Sequence, residues 1–221
     1  MPTSPDKVVK LFPLGGLVFF PHGRLPLRIF EPRYKQMTED ALAGEREIVM
    51  ILPKPGPSND PVPIHSVGTL GKIHQERRLP NGEFLMELEG IKRVRILKEV
   101  DTVKLYRQAK VEILEDEMEP SQGARRELQR AEILRHLSAI LPDDNQAVEQ
   151  FLRYLKRHCD AAAFSDVVAY SAPLPIQRKQ AILEVPDVDK RLEMLVETAQ
   201  EALDGMMGDK QDPFPPSFST D

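Results

Sequence analysis

The sequence predicts an α+β chain, with a β-rich front half and a helical back half. Three observations carry this. Across Leu105–Leu114, Ala109, Val111 and Ile113 alternate with Gln108, Lys110 and Glu112, the two-residue period of a strand with one wet face. From Ser121 onward the apolar period is helical, with Leu128, Ala131, Leu134, Leu137 and Leu141 on one face. The third is Pro80-Asn81-Gly82, which sits between two strand-like runs. Asn-Gly supplies the φ > 0 positions of a tight hairpin.

The elements follow in chain order. Leu11–Leu14, Leu17–Phe20 and Leu25–Phe30 read as short strands, broken by Gly15-Gly16 and Pro21. Prolines confine such strands to edges, starts or bulges, which suits a small irregular barrel. Glu31–Leu42 reads as a helix with Pro32 in its first turn and Gly44 just past its end. Glu47–Leu52 is a buried strand. Pro53–Pro63 holds five prolines in eleven residues and reads as a loop. Val67–Leu79 and Glu83–Glu89 form the hairpin, and Ile91–Val100 and Leu105–Leu114 continue the strands.

The pattern switches near Glu115–Pro120. The first back-half helix ends at Pro142, and Asp143-Asp144 begins a second with a Val148, Phe151, Leu152 and Leu155 stripe. Asp160 can cap a third, carrying Phe164, Val167 and Val168 inward. Pro173-Leu174-Pro175 stops it, and Ile176–Leu183 is a fourth. Asp187 can cap the last, with Val188, Leu192, Leu195, Val196, Ala199 and Leu203 at helical spacing and Gly205 at its end. Three parts are expected: 1–118 β-rich, 119–205 a helical bundle, and 206–221 a polar, Pro-rich disordered tail.

Charge narrows the function classes. Through Met118, 18 Lys and Arg stand against 17 Asp and Glu; from Glu119 the count is 12 against 18. No strongly basic domain advertises nucleic acid. Ile91–Lys110 is locally basic, but alternation splits its charges between faces and no aromatic stacking platform accompanies them. A single cysteine, Cys159, suits a reducing compartment. No secretory signal or membrane-length apolar run is visible, so a cytoplasmic location is expected.

The residues offer no constellation for catalysis. Gly68-Thr69-Leu70-Gly71-Lys72-Ile73 has the wrong spacing for a phosphate loop and lacks its hydroxyl. There is no G-x-S-x-G elbow. The five histidines form no H-x-x-x-H and pair with no C-x-x-C, so no zinc site is expected. His158 and Cys159 are neighbours on a helix and do not readily turn toward each other. No catalytic residue, metal or cofactor is assigned.

The order of segments is more telling. Phe12-Pro13-Leu14, Val18-Phe19-Phe20-Pro21 and Leu25-Pro26-Leu27-Arg28-Ile29-Phe30-Glu31-Pro32-Arg33-Tyr34 resemble the start of the Lon N-terminal domain family, in particular its free-standing bacterial members. Val67-Gly68-Thr69 resembles a family strand, as does Glu89-Gly90-Ile91-Lys92-Arg93-Val94-Arg95-Ile96. Phe164–Ala169, Lys179–Glu184 and Asp189–Glu193 are similar to its helical end. The resemblance runs over residues 10–204. It implies a PUA-like β pseudobarrel followed by a helical bundle. It also implies substrate-protein recognition without the ATPase and Ser/Lys protease modules that follow this region in complete Lon proteases. His22 departs from the pattern where glycine is common; a φ > 0 there would strain histidine, and Gly23 can take the turn instead.

The expected function is therefore a non-catalytic protein- or peptide-binding module. Its expected partners are unfolded or exposed apolar segments, and a separate ATPase or protease. Phe19, Phe20, Pro21 and Leu25, around a Pro/Gly turn, are the candidate contact residues. RNA binding, through residues such as Arg93 and Arg95, is the alternative, by analogy with other PUA-like folds.

Overall fold

The computed structural model describes residues 7–56, 61–142 and 145–208. Six strands come first with one helix among them: β1 (Lys7–Pro13), β2 (Arg24–Ile29), α1 (Pro32–Leu42), β3 (Glu47–Ile51), β4 (Val67–Arg78), β5 (Phe84–Val100) and β6 (Gln108–Leu114). A 3-10 turn at Pro120–Gln122 leads into α2 (Gly123–Ile140), α3 (Gln146–His158), α4 (Ala161–Ser171), α5 (Ile176–Leu183) and α6 (Val188–Gly208). The mixed α+β architecture is the expected one. The expected tail, 206–221, lies almost wholly outside the described residues.

Five strands close into a barrel. β1 runs parallel to β3 and antiparallel to β6. β3 pairs with β4, β4 with β5, and β5 with β6, all antiparallel. β5 makes this possible by its length. Its first half pairs with β2, Arg24 opposite Glu89 through Ile29 opposite Phe84. Its second half leaves β2 and pairs with β6, Arg93 opposite Leu114. The hairpin is as expected, with Gly82 at φ 76°. The separate strand expected at Ile91–Val100 is instead the continuation of the hairpin's second arm.

Val9, Leu11, Val49, Leu70, Val94, Ala109 and Val111 fill the lumen, drawn from all five barrel strands. A second core lies under α1, where Met37 and Ala41 meet Phe12, Ile29, Ile73 and Leu88. A third joins barrel to helices: Val18, Phe20, Leu52, Val67 and Leu114 pack with Ile133, Leu155, Phe164, Ile182 and Leu192. The secondary structure changes type near residue 115, but this core crosses the change.

Two expected elements differ. Leu17–Phe20 is not a strand. The chain turns at Gly15-Gly16, with Gly16 at φ 81°, and runs extended between two cores. Phe19 enters one and Phe20 the other. Thr69 Oγ1 donates to the Phe19 carbonyl at 2.5 Å, so a side chain takes the place of a strand ladder here. Leu105–Tyr106 also precedes the strand, which starts at Gln108.

The helices are held largely as their caps foretell. Asp160 accepts from the Ala163 N–H at 2.8 Å, and Asp187 from Asp189 at 2.9 Å. Asn145, rather than Asp143 or Asp144, caps α3, accepting from Ala147 at 2.9 Å. α6 runs through Gly205 to Gly208. On α2 the buried face is Arg126, Gln129, Ile133 and His136, while Leu128 is 72% exposed. The leucine stripe expected to face the core only grazes it, through Leu134 and Leu137. The helix turns its arginines inward instead. Arg126 donates twice to the Glu119 carbonyl, at 3.1 and 2.6 Å. Arg130 lies over the Phe164 ring and donates to the Cys159 carbonyl at 2.8 Å.

Candidate functional site

The expected contact residues do not form an exposed patch. Phe19, Phe20 and Pro21 are buried and only Leu25 reaches partway to the surface. The reason is the loop they occupy. Its backbone lies against β5 at Gly90, the point where β5 changes partner from β2 to β6. Gly90 N–H donates to the Gly23 carbonyl and His22 N–H to the Gly90 carbonyl, both at 2.9 Å. A Cβ at Gly90 would stand 2.1 Å from the Phe20 carbonyl oxygen. His22, not Gly23, takes the left-handed turn, at φ 63°. Burying two phenylalanines is worth about 1.5–3 kcal/mol each, which is why this segment is spent on the cores.

The family-like segments converge on a second feature that local pattern reading missed. Arg93 of β5 is 2% exposed. Its guanidinium grips Asp166 of α4 with two nitrogens, Nη1 at 2.9 Å. Its Nε donates to the Leu183 carbonyl at 3.1 Å. Arg191 of α6, fully buried, donates to Asp116 at 2.6 Å and stands 3.8 Å from Asp166. Burial pulls the Arg191 guanidinium below its ordinary pKa, with Arg93 adding to the fall, while Asp166 and Asp116 oppose it. Two cations face two carboxylates, of which Asp116 reaches the surface, so the cluster is neutral. It joins the barrel to the bundle. Arg93, an RNA contact in the alternative reading of the sequence, has no access to phosphate. Around it, Lys92 pairs with Glu115 and Arg95 with Glu112, each at 2.6 Å.

Chemistry is sparse elsewhere. Among the described residues no group of three or more His, Cys, Asp or Glu could hold a metal ion. Cys159 is buried, which raises its thiol pKa. His158 points to solvent, its ring 5.9 Å from that of Tyr154. Cys159 and His158 therefore make no activated nucleophile.

A cleft of about 480 Å³ opens at one end of the barrel. Its floor is Leu11 and Pro13. Its walls are Tyr34 at the start of α1, Pro53, Pro61 and Val62 from the proline-rich loop, and Leu105, Tyr106 and Arg107 before β6. Its polar groups are already engaged. Tyr106 Oη donates to Asp40 at 2.7 Å, and burial together with this bond lifts the phenol's pKa. Lys104 reaches the same carboxylate at 2.9 Å; the hydrogen bonds from Lys104 and then Tyr106 hold Asp40 below the ordinary carboxylate range. Arg107 donates to Glu99 and to the Val62 carbonyl, and Arg33 lies 4.5 Å over the Tyr34 ring while pairing with Glu31. A ligand would meet Pro13, Pro53, Pro61 and Val62 beside the polar groups of Arg33, Tyr106 and Arg107. Beside it, Leu105 is 62% exposed and Val103 fully so.

The chain belongs to the family of ATP-dependent protease La (LON) substrate-binding domains, which matches residues 8–201. It is 30% identical over 192 residues to a Lon protease of Dictyoglomus thermophilum, covering 85% of this chain and 23% of that protein. To the Lon protease of Escherichia coli strain K12 it is 28% identical over 209 residues, covering 92% of this chain and 26% of that one. The chain thus spans about a quarter of the length of these relatives. Its fold is similar to the N-terminal domain of a Mycobacterium avium complex Lon protease, with a TM-score of 0.70 and 20% identity over 88% of this chain and 99% of that one. It is also similar to a Lon N-terminal domain protein from Xanthomonas campestris, at a TM-score of 0.62 and 22% identity over 86% and 98%.

Proposed function

We propose that this chain is a non-catalytic module that binds exposed apolar segments of other proteins, the role its family is named for. The observation that carries the reading is the barrel-end cleft. Its tyrosines and Arg107 are engaged with internal partners, while Pro13, Pro53, Val62 and Leu105 offer apolar contact. Exposed apolar surface beside a cleft is what a site for unfolded chain needs. Phe19 takes part from behind, through the core it shares with Tyr34. A separate ATPase or protease is the partner that this reading implies, because in the relatives the matched segment is only part of a Lon protease.

The test is titration of the purified chain with fluorescein-labelled, reduced and carboxymethylated lactalbumin. Saturable binding is expected. The double change Val103→Ser and Leu105→Ser weakens it about tenfold or more, since burying two such side chains is worth more than the ~1.4 kcal/mol that a factor of ten requires. Leu128→Ser, on the exposed face of α2, leaves binding unchanged. Absence of saturable binding, with the far-ultraviolet circular dichroism intact, rules the reading out.

A further inference from the structure

A groove of about 650 Å³ lies between α2 and α3 and shares no residue with the barrel-end cleft. Its floor holds Leu134 and Leu152, one from each of the first two apolar stripes of the back half, and both are half-buried. Its walls are cationic. Arg135 stands on α2, and Arg153, Lys156 and Arg157 stand on α3, all four exposed. Among the described residues no Asp or Glu lines it.

This positive charge is local. Residues 123–158 carry 7 Lys and Arg against 5 Asp and Glu, whereas the rest of the back half, 119–122 and 159–221, carries 5 against 13. Little inside the molecule neutralises it. Arg135 stands 3.8 Å from Glu132 and donates to His136 Nε2 at 2.9 Å. The side chains of Arg153, Lys156 and Arg157 make no ion pair or hydrogen bond among the described residues. The α3 dipole favours Lys156 and Arg157 in the last turn. It does not account for Arg153, a turn earlier, or for Arg135 on the facing helix. Like charges gathered along one groove repel, and an entering anion relieves that repulsion.

The floor selects among anions. Two leucines offer a phosphate backbone nothing to bond, and no aromatic ring lines the groove to stack a base. They suit apolar side chains instead, and an amphipathic helix presents apolar and acidic groups side by side. Arg153 and Arg157 are about 6 Å apart along α3, so carboxylates one helical turn apart on an occupant match them. We propose that the α2–α3 groove is a docking surface for an acidic amphipathic helix of a partner protein. Its carboxylates meet Arg135, Arg153, Lys156 and Arg157, and its apolar side chains meet Leu134 and Leu152. The surface is independent of the barrel-end cleft, so both can be occupied at once.

The test is fluorescence anisotropy of a fluorescein-labelled peptide of three Glu-Glu-Ala-Leu repeats, titrated with the full chain. Saturable binding is expected, weakening about tenfold or more between about 50 and 500 mM NaCl. Replacing the peptide's leucines with serine also weakens it. Arg153→Glu combined with Arg157→Glu lowers affinity about tenfold or more, with the far-ultraviolet circular dichroism unchanged because both side chains are exposed. Lys72→Glu combined with Arg77→Glu makes the same change of net charge on exposed positions of β4 and leaves affinity within about twofold. Val103→Ser combined with Leu105→Ser, beside the barrel-end cleft, leaves it unchanged. No saturable binding, or equal losses in the α3 and β4 variants, overturns the proposal. So does a loss in the Val103, Leu105 variant as large as that in the α3 variant. Tighter binding of a fluorescein-labelled oligothymidylate of the same charge overturns it too, since the groove would then be a nucleic-acid site.

Discussion

Arg93 and Asp166 show what a single residue can conceal. They are 73 positions apart and both buried, and each neutralises the other. Burying one charge alone is costly, whereas an apolar pair of like volume is often tolerated. Asp166→Ala is therefore expected to destabilise the chain by about 3–5 kcal/mol, read from urea unfolding by circular dichroism. Arg93→Met combined with Asp166→Leu, which leaves Arg191 with Asp116, loses less than Asp166→Ala alone. If Asp166→Ala unfolds at the parent urea concentration, Asp166 does not neutralise Arg93 in the folded chain. Sequence reading placed Arg93 on a strand, correctly, but strand position does not say which charge lies opposite. Phe19, Phe20 and Pro21 failed in the same way. An apolar run beside a turn reads alike whether it is core or surface, and only its neighbours decide.

At the scale of elements, the local signals did best. Asn81-Gly82 made its hairpin, and Asp160 and Asp187 capped their helices, because each works within three residues of itself. The α2 face was misjudged because its inward arginines are satisfied by carbonyls and a ring on other elements. β5 depends on a contact of the same non-local kind. Gly90 has room only for hydrogen where the Phe20–Gly23 loop crosses it, and the obstructing atom is a backbone oxygen that cannot swing aside. Gly90→Ala should cost about 1–3 kcal/mol or more. Gly15→Ala, with nothing within 4 Å of its Cβ position, should cost little. Thermal melts of the two variants separate the outcomes, and equal melting temperatures would contradict the crowding at Gly90. The barrel-end cleft belongs to this scale too. Its walls come from α1, the proline-rich loop and the turn before β6, and no spacing rule links those three.

For the molecule as a whole, the question is whether front and back halves are separate. Several links cross between them. Gln180 Nε2 donates to the Val67 carbonyl at 3.0 Å, Tyr170 Oη donates to the Arg24 carbonyl at 3.1 Å, and Glu117 bridges to Asp187. Phe20, Leu52 and Leu114 from the front half sit in the core of the helices. The chain is expected to unfold in one transition, coincident by circular dichroism and tyrosine fluorescence. Helices 119–208 alone, stripped of those side chains and of Arg93, should show no cooperative melt. Two resolved transitions, or a cooperatively melting fragment, would make the halves independent domains.

The sequence by itself determined the order and type of most elements, the hairpin, the helix caps, and the ordered segments by which the family is recognised. These are set by propensity and by contacts a few residues long. Only the tertiary structure decided that the barrel closes through a partner change in β5, that the phenylalanine loop is core, that Arg93 and Arg191 meet Asp166 and Asp116, and that apolar surface gathers at the barrel end. Each of those depends on groups brought together from distant parts of the chain, where burial and charge neutralisation outweigh any local preference.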